Sequence, residues 1–383
     1  MRIGDRVDRP EVLRTTLRVA VTVMGLVAPL ARAETPRPEM VADLYPGLGP
    51  MYSVEQFLGE SPESAVLAFS SPGPDLFVWA SDGSASGVQR VARFPGWGLT
   101  SISAAARRVD RRTFFMAHPL AQPYGQLWVS DGKSTGTHPV TDRGGRAIAQ
   151  VYGVVAVGST AWILGCGPGG VDCGLWSVAA TRSVAQLRAR LTLSPGGPVQ
   201  LVPLEGALIV RAGADVWALG LQDGKTTLLY RGSSTSQLGP AAVVGGRRAV
   251  FSRIEGRLHS LVSYTAGGPR LETLVAYAAG GGILTELMPA GSRVFFGASE
   301  AESGQEIWSS DGTREGTRRE TSFTVRKLLN RGLRTEPGFF AALRDRFVFW
   351  LGNELWSTAS GGEGAIKLLS ACDGCLPVSG LAT

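Results

Sequence analysis

The stretch Gly304–Thr317 reads GQEIWSSDGTREGT. It recurs at Gly125–Thr137 as GQLWVSDGKSTGT, and more loosely at Asp75–Gly87 as DLFVWASDGSASG. Degenerate copies of its apolar–tryptophan core stand at Leu175-Trp176, Val216-Trp217 and Leu355-Trp356. Treated as one unit, these copies put most of the chain into register.

The anchors Trp79, Trp128, Trp176, Trp217, Trp308 and Trp356 are separated by 49, 48, 41, 91 and 48 residues. The long interval is about twice the others, so a unit without a tryptophan is expected near Leu258-His259-Ser260. A second landmark agrees. An apolar run precedes each anchor, at Ala65–Phe69, Thr113–Phe115, Ala161–Ile163, Leu208–Val210, Ala249–Phe251, Val294–Phe296 and Phe347–Phe349. Both landmarks give seven units.

Within a unit, short apolar runs alternate or come in fours and are bounded by Gly, and no helical period appears after residue 33. In the clearest copy, Leu284–Pro289 leads through Ala290-Gly291-Ser292 to Arg293–Ala298. Glu306–Ser309 follows, then a turn and a last strand at Thr317–Thr321. Asp-Gly between strands is a turn signal: Gly supplies a positive φ, and Asp hydrogen-bonds its own backbone. Asp82-Gly83, Asp131-Gly132 and Asp311-Gly312 are therefore expected as repeat turns, and the six tryptophans as packing between neighbouring blades. Four strands per 41–50 residues, repeated radially, is a propeller pattern. The expected fold is all-β, a β-propeller of seven blades with four antiparallel strands each.

The unit resembles the ELWxxDGTxxGT repeat of bacterial exported proteins, the hyalin-like repeat. Glu306–Thr317 matches nearly throughout, and Gln126–Thr137 matches with Lys133 in place of Thr. The resemblance implies a propeller-like exported protein and little chemistry.

Composition sets the remaining bounds. The 383 residues are 44% apolar and 18% charged, with 51 Gly and 22 Pro, enough for a large core cut by many turns. Val19–Leu30 is an uncharged apolar run preceded by five arginines and followed by Ala31-Arg32-Ala33. It reads as a secretory signal peptide cleaved near Ala33, too short for a transmembrane helix. The expected division is a signal peptide at 1–33, a leader at 34–48 with a ring-closing strand at Met40–Gly47, and one propeller over 49–383. Ala365–Ser370 competes with Met40–Gly47 for the outer edge of the last blade. The mature protein is expected to be exported, periplasmic or extracellular, monomeric and without a membrane span. The formal charge of +6 is spread along the chain, with arginine pairs near turns, so no nucleic-acid partner is expected.

The four cysteines suit export. Cys166 and Cys173 bracket a Gly-rich loop, and Cys372 and Cys375 bracket Asp-Gly, so local structural disulfides are favoured over a zinc or redox site.

No chemical motif stands out. Gly165–Gly170 matches GxGxxG but leads to a strand, not a helix. His118, His138 and His259 fall in different units. Glu300, Glu302 and Glu306 form the densest acidic group and read as a solvated loop. No catalytic residue, metal ligand or cofactor is assigned. The expected function is a non-enzymatic binding or scaffold module for a protein or glycan partner. The alternative is a carbohydrate-active propeller enzyme, a hydrolase or lyase.

Overall fold

Strands form where Gly-bounded apolar runs occur, and the longer ones, of five to nine residues, pair in sequence order within each sheet. In the computed structural model, the described residues are 54–61, 64–70, 75–99, 107–119, 125–167, 170–193, 198–277, 281–283, 285–300, 304–321, 337–343, 346–351, 354–359 and 365–370. They belong to one compact unit, Gly49–Thr383. Met40–Gly47, the signal-peptide region, Cys372, Cys375 and Glu302 lie outside the described residues. Among the described residues the secondary structure is all β, apart from 3-10 turns at Ala85–Gly87 and Ser134–Gly136. No helix there is long and apolar enough to cross a membrane.

Six open antiparallel sheets follow one another along the chain. The first shows the plan, with Val54–Ser61, Ser64–Ser70, Leu76–Ser81 and Gln89–Phe94 paired in sequence order. The second sheet has nine strands and consists of two such meanders. They are joined where Ala149–Val157 meets Gln126–Ser130 through the pair Ala149↔Gln126. The remaining four sheets span 199–230, 236–277, 282–319 and 337–370.

From the second meander onward, the second main strand is buried on both faces, which is why it reads as an apolar run rather than an alternation. Phe296 packs with Val250, Leu261 and Trp308, toward the preceding sheet. Its neighbour Phe295 packs with Phe347 and Phe349, toward the following sheet. The Phe295 and Phe347 rings stack at 5.0 Å. Phe115 and Phe114 divide the same way, as do Val210 and Ile209, and Phe251 and Val250. The core is thus a series of apolar layers, each shared by two consecutive meanders.

The anchor positions follow one rule. Trp128, Trp176, Trp217, Trp308 and Trp356 each pack into the layer shared with the preceding meander. Trp128 meets Phe94 edge-on at 4.6 Å, and Trp308 meets Tyr277 at 5.7 Å. A register shift in the pairing of the third and fourth strands comes immediately before Trp79, Trp176, Trp217 and Trp356. The same shift comes before Val262. Val262 also packs toward the preceding sheet, with Val216 and Ala218. It lies 45 residues after Trp217 and 46 before Trp308, so it takes the tryptophan position in the unit that lacks one.

Because Phe295 and Phe296 serve different layers, Phe295→Ala and Phe296→Ala should each destabilise the chain by about 3–5 kcal/mol. Val184→Ala, at an exposed position, should change stability by less than about 0.5 kcal/mol. Chemical denaturation of the three variants measures this.

Candidate functional site

The repeated Asp-Gly motif forms a loop held by its own side chains. In the clearest copy the Gly312 amide donates to Ser310 Oγ at 3.0 Å, and the Thr313 amide donates to Asp311 Oδ1 at 2.9 Å. Ser310 and Thr317 hydroxyls meet at 2.7 Å across the base of the loop. Asp131 and Asp82 make the corresponding bonds to the amides of Lys133 and Ser84. Gly83, Gly132 and Gly312 have φ of +87°, +86° and +82°, the left-handed region that glycine reaches without strain. The later glycine of each copy is needed for space. A Cβ on Gly87, Gly136 or Gly316 would lie 1.7, 2.0 or 2.1 Å from the aspartate oxygen. The turn is therefore a loop of about seven residues, wider than the tight Asp-Gly hairpin read from sequence. Each aspartate is occupied by protein donors.

The cysteine and acidic groups are placed as follows. Cys166 and Cys173 form a disulfide that closes the loop before Gly174–Ala179. Glu306 was expected on a solvated loop but is buried on the strand Gly304–Ser310, where Oε2 accepts from Thr321 Oγ1 at 2.5 Å. Nearby, buried Arg293 donates to Ser309 Oγ at 2.9 Å and to the Gly316 carbonyl, and Ser309 donates to Glu320. Burial lowers the Arg293 pKa. Arg293 and Glu320 are joined through Ser309, and Arg293 reaches the loop at Gly316, so they hold it in place.

Uncommitted polar groups collect elsewhere, in a cavity of about 280 Å³ between the fourth and fifth sheets. Ser252 comes from the strand Arg248–Glu255 and His259 from Leu258–Thr265, while Thr285 and Glu286 come from the segment entering the next sheet. Pairing is Ser252↔Leu261 and Ile254↔His259. Ser252, Ile254 and His259 therefore project from one face of adjacent strands, with Ser252 and His259 as diagonal neighbours.

Two glycines shape this corner. A Cβ on Gly239 would lie 2.2 Å from Ser252 Oγ, and one on Gly282 would lie 2.6 Å from His259 Nδ1. Among the described residues no hydrogen bond is made by Ser252 Oγ or the His259 ring, and the Glu286 carboxylate makes no ion pair. Thr285 is committed: its hydroxyl accepts from the Gly297 amide at 2.7 Å and donates to the Glu286 carbonyl. Directly opposite His259 is Tyr277, whose hydroxyl is held protonated by burial and, secondarily, by Glu300.

A second cavity, of about 690 Å³, lies at the other end of the same strands. Its rim includes Glu205, Asp223, Lys225, Arg247 and Tyr264. There Glu205 approaches Arg247 at 3.9 Å, and Asp223 Oδ1 accepts from the Lys225 amide at 3.0 Å. There the carboxylates are paired or turn-forming, unlike that of Glu286 beside His259.

Sequence reading set His259 aside as an isolated histidine and did not single out Ser252 or Glu286. The available signal was the pairing of two polar residues, Ser252 and His259, across the hairpin of the unit lacking a tryptophan.

No protein-family model and no curated protein matches this chain. Among solved structures it resembles one from a study of two prolyl endopeptidases, at 11% identity and a TM-score of 0.44 over 84% of this chain and 52% of that one. It also resembles oligopeptidase B from Leishmania major, at 9% identity and 0.44 over 80% of this chain and 47% of that one. A third likeness is to prolyl oligopeptidase B from Galerina marginata, at 7% identity and 0.42 over 80% of this chain and 49% of that one. The chain spans about half the length of these structures. The non-enzymatic binding or scaffold module expected from sequence is not borne out by these comparisons, whose solved chains are named as peptidases.

The repeat loops yield a test. Burial alone would raise the Asp311 pKa, but hydrogen bonds from Thr313 and the charges of Arg293 and Arg248 hold it below the ordinary value. A depressed folded-state pKa gives stability that is complete above the unfolded value near 3.9 and is lost as pH falls through the folded value. Asp311→Asn should therefore show a smaller loss of stability below about pH 4 than the parent chain. Gly316→Ala should destabilise by more than roughly 1 kcal/mol at neutral pH. Denaturation at stepped pH reads both.

Proposed function

We propose that this chain is an exported, monomeric, seven-bladed β-propeller enzyme of the ELWxxDGT repeat type. On this reading it breaks bonds in carbohydrate as a hydrolase or lyase at the cleft beside His259. The architecture is supported by the layers that join consecutive meanders and by the recurrence of the anchor position, with Val262 supplying the unit without tryptophan. Export is supported by the N-terminal apolar run and by the Cys166–Cys173 disulfide.

The observation that carries the enzymatic reading is the convergence of uncommitted His259 and Glu286, from two consecutive sheets, on one cavity. Both hydrolysis and elimination need a proton acceptor and a proton donor at the reacting bond. An imidazole can give or take a proton, and a carboxylate can accept one. His259 is half-buried against the Gly282 backbone, which restrains its ring. Glu286 is exposed at the mouth, where substrate enters.

The mature chain should release reducing ends or unsaturated products from some members of a glycan panel. His259→Ala and Glu286→Gln should each lower turnover by roughly 10²-fold or more, with melting temperature unchanged. Turnover that survives both substitutions, or cleavage of peptides in place of glycans, contradicts the proposal.

A further inference from the structure

The cleft contains a third reactive group, one that acid–base chemistry alone does not use. We propose that Ser252 is a nucleophile activated by His259, and that the cleft also removes acyl esters carried by the same glycan. This inference rests on the reaction site proposed above and adds a second bond to its chemistry.

Three observations lead to it. Ser252 and His259 project from the same face of paired strands as diagonal neighbours, a separation of about 7–8 Å between Cα atoms that an imidazole can bridge. Both side chains line the same cavity, and neither makes a hydrogen bond among the described residues. A serine at this position in a sheet commonly bonds a neighbouring backbone or side-chain group. Ser260 and Ser309 do so, with Arg253 and Arg293. Ser252 Oγ instead stands free beside Gly239, where any larger residue would meet it at 2.2 Å. Gly282 does the same for the imidazole, with Nδ1 as the ring atom nearest a Cβ placed there. Two glycines on separate segments thus leave room for one hydroxyl and one ring, the pair that nucleophilic catalysis requires.

The step balances without a cofactor. Neutral His259 takes the Ser252 Oγ proton as Oγ bonds to the ester carbonyl carbon. The bond between that carbon and the sugar oxygen then breaks, and the sugar leaves as an alcohol carrying the proton from His259. Water attacks the acyl-serine with His259 again accepting a proton. The acid is released, and Ser252 recovers its hydrogen. Glu286 at the mouth carries the negative charge that can stabilise the transient imidazolium.

The test is labelling with a fluorophosphonate, which reacts with an activated serine, followed by peptide mapping of the intact mature chain. The expected result is a single modification at Ser252, absent in Ser252→Ala and slowed roughly 100-fold or more in His259→Ala. Gly239→Ala, which pushes a methyl against Oγ, should slow it as well. Release of acetate from acetylated xylo-oligosaccharide should be lost in Ser252→Ala at an unchanged melting temperature. No labelling, or labelling at another serine, overturns the inference. If Ser252→Ala still releases acetate while His259→Ala does not, the nucleophile is wrong and the acid–base reading stands. If neither acetylated nor unacylated glycan is turned over, both fall.

Discussion

From the second meander onward, the structure depends on the second main strand being buried on both faces. A sheet in a two-layer sandwich needs one apolar face. A sheet placed between two others needs two, and its central strand then has almost no polar position left. Phe295 and Phe296 are adjacent in sequence and fully buried, yet they belong to different layers. Removing either opens a cavity in a layer shared by two meanders, so the sheets are energetically coupled in sequence order. The anchor tryptophans act within the same constraint. Five of them fill the space toward the preceding meander, and at Trp176, Trp217 and Trp356 a bulge there increases the local twist.

Much of this was legible in the sequence because the repeat is a packing rule written in residue types. Tryptophan spacing and apolar runs identify the same units, and the double-length interval located the one without tryptophan. Val262 shows why the anchor was hidden there: the layer it enters is filled by Phe251 and Tyr264, and a smaller side chain suffices. The Asp-Gly turns were legible as turns but not in their width. The loop is set by the later glycine, which lies against the aspartate carboxylate across several residues. Burial of Glu306 was not legible, because an acidic residue beside two others reads as solvated unless its hydroxyl partner fifteen residues away is known.

The cleft was invisible for a related reason. Its residues belong to two meanders, and Ser252 and Glu286 are 34 positions apart in a chain of 383. No local spacing reports their meeting. They differ from the repeat at those positions, which fits the division of labour in a modular fold: recurring residues build the layers, and the ones that depart from the pattern are free for chemistry. Glycine marks both. In the repeat loops it admits a carboxylate, and at Gly239 and Gly282 it admits a hydroxyl and an imidazole.

The layered packing leaves one position of the pattern to be completed. Trp79 occupies the anchor place of the first sheet, facing away from the second, while Ile366 and Leu368 on the last strand are about half exposed. A ring brings these two ends together; an open stack does not. Spin labels at Arg90→Cys and Ile366→Cys, with Cys372 and Cys375 replaced by serine, measure the separation by pulsed electron resonance. With sheets packed about 10 Å apart, seven meanders in an open stack place the labels roughly 60 Å apart, whereas a closed ring places them within about 30 Å. A single short distance is the expected result, and a distribution centred near the longer value would contradict the propeller.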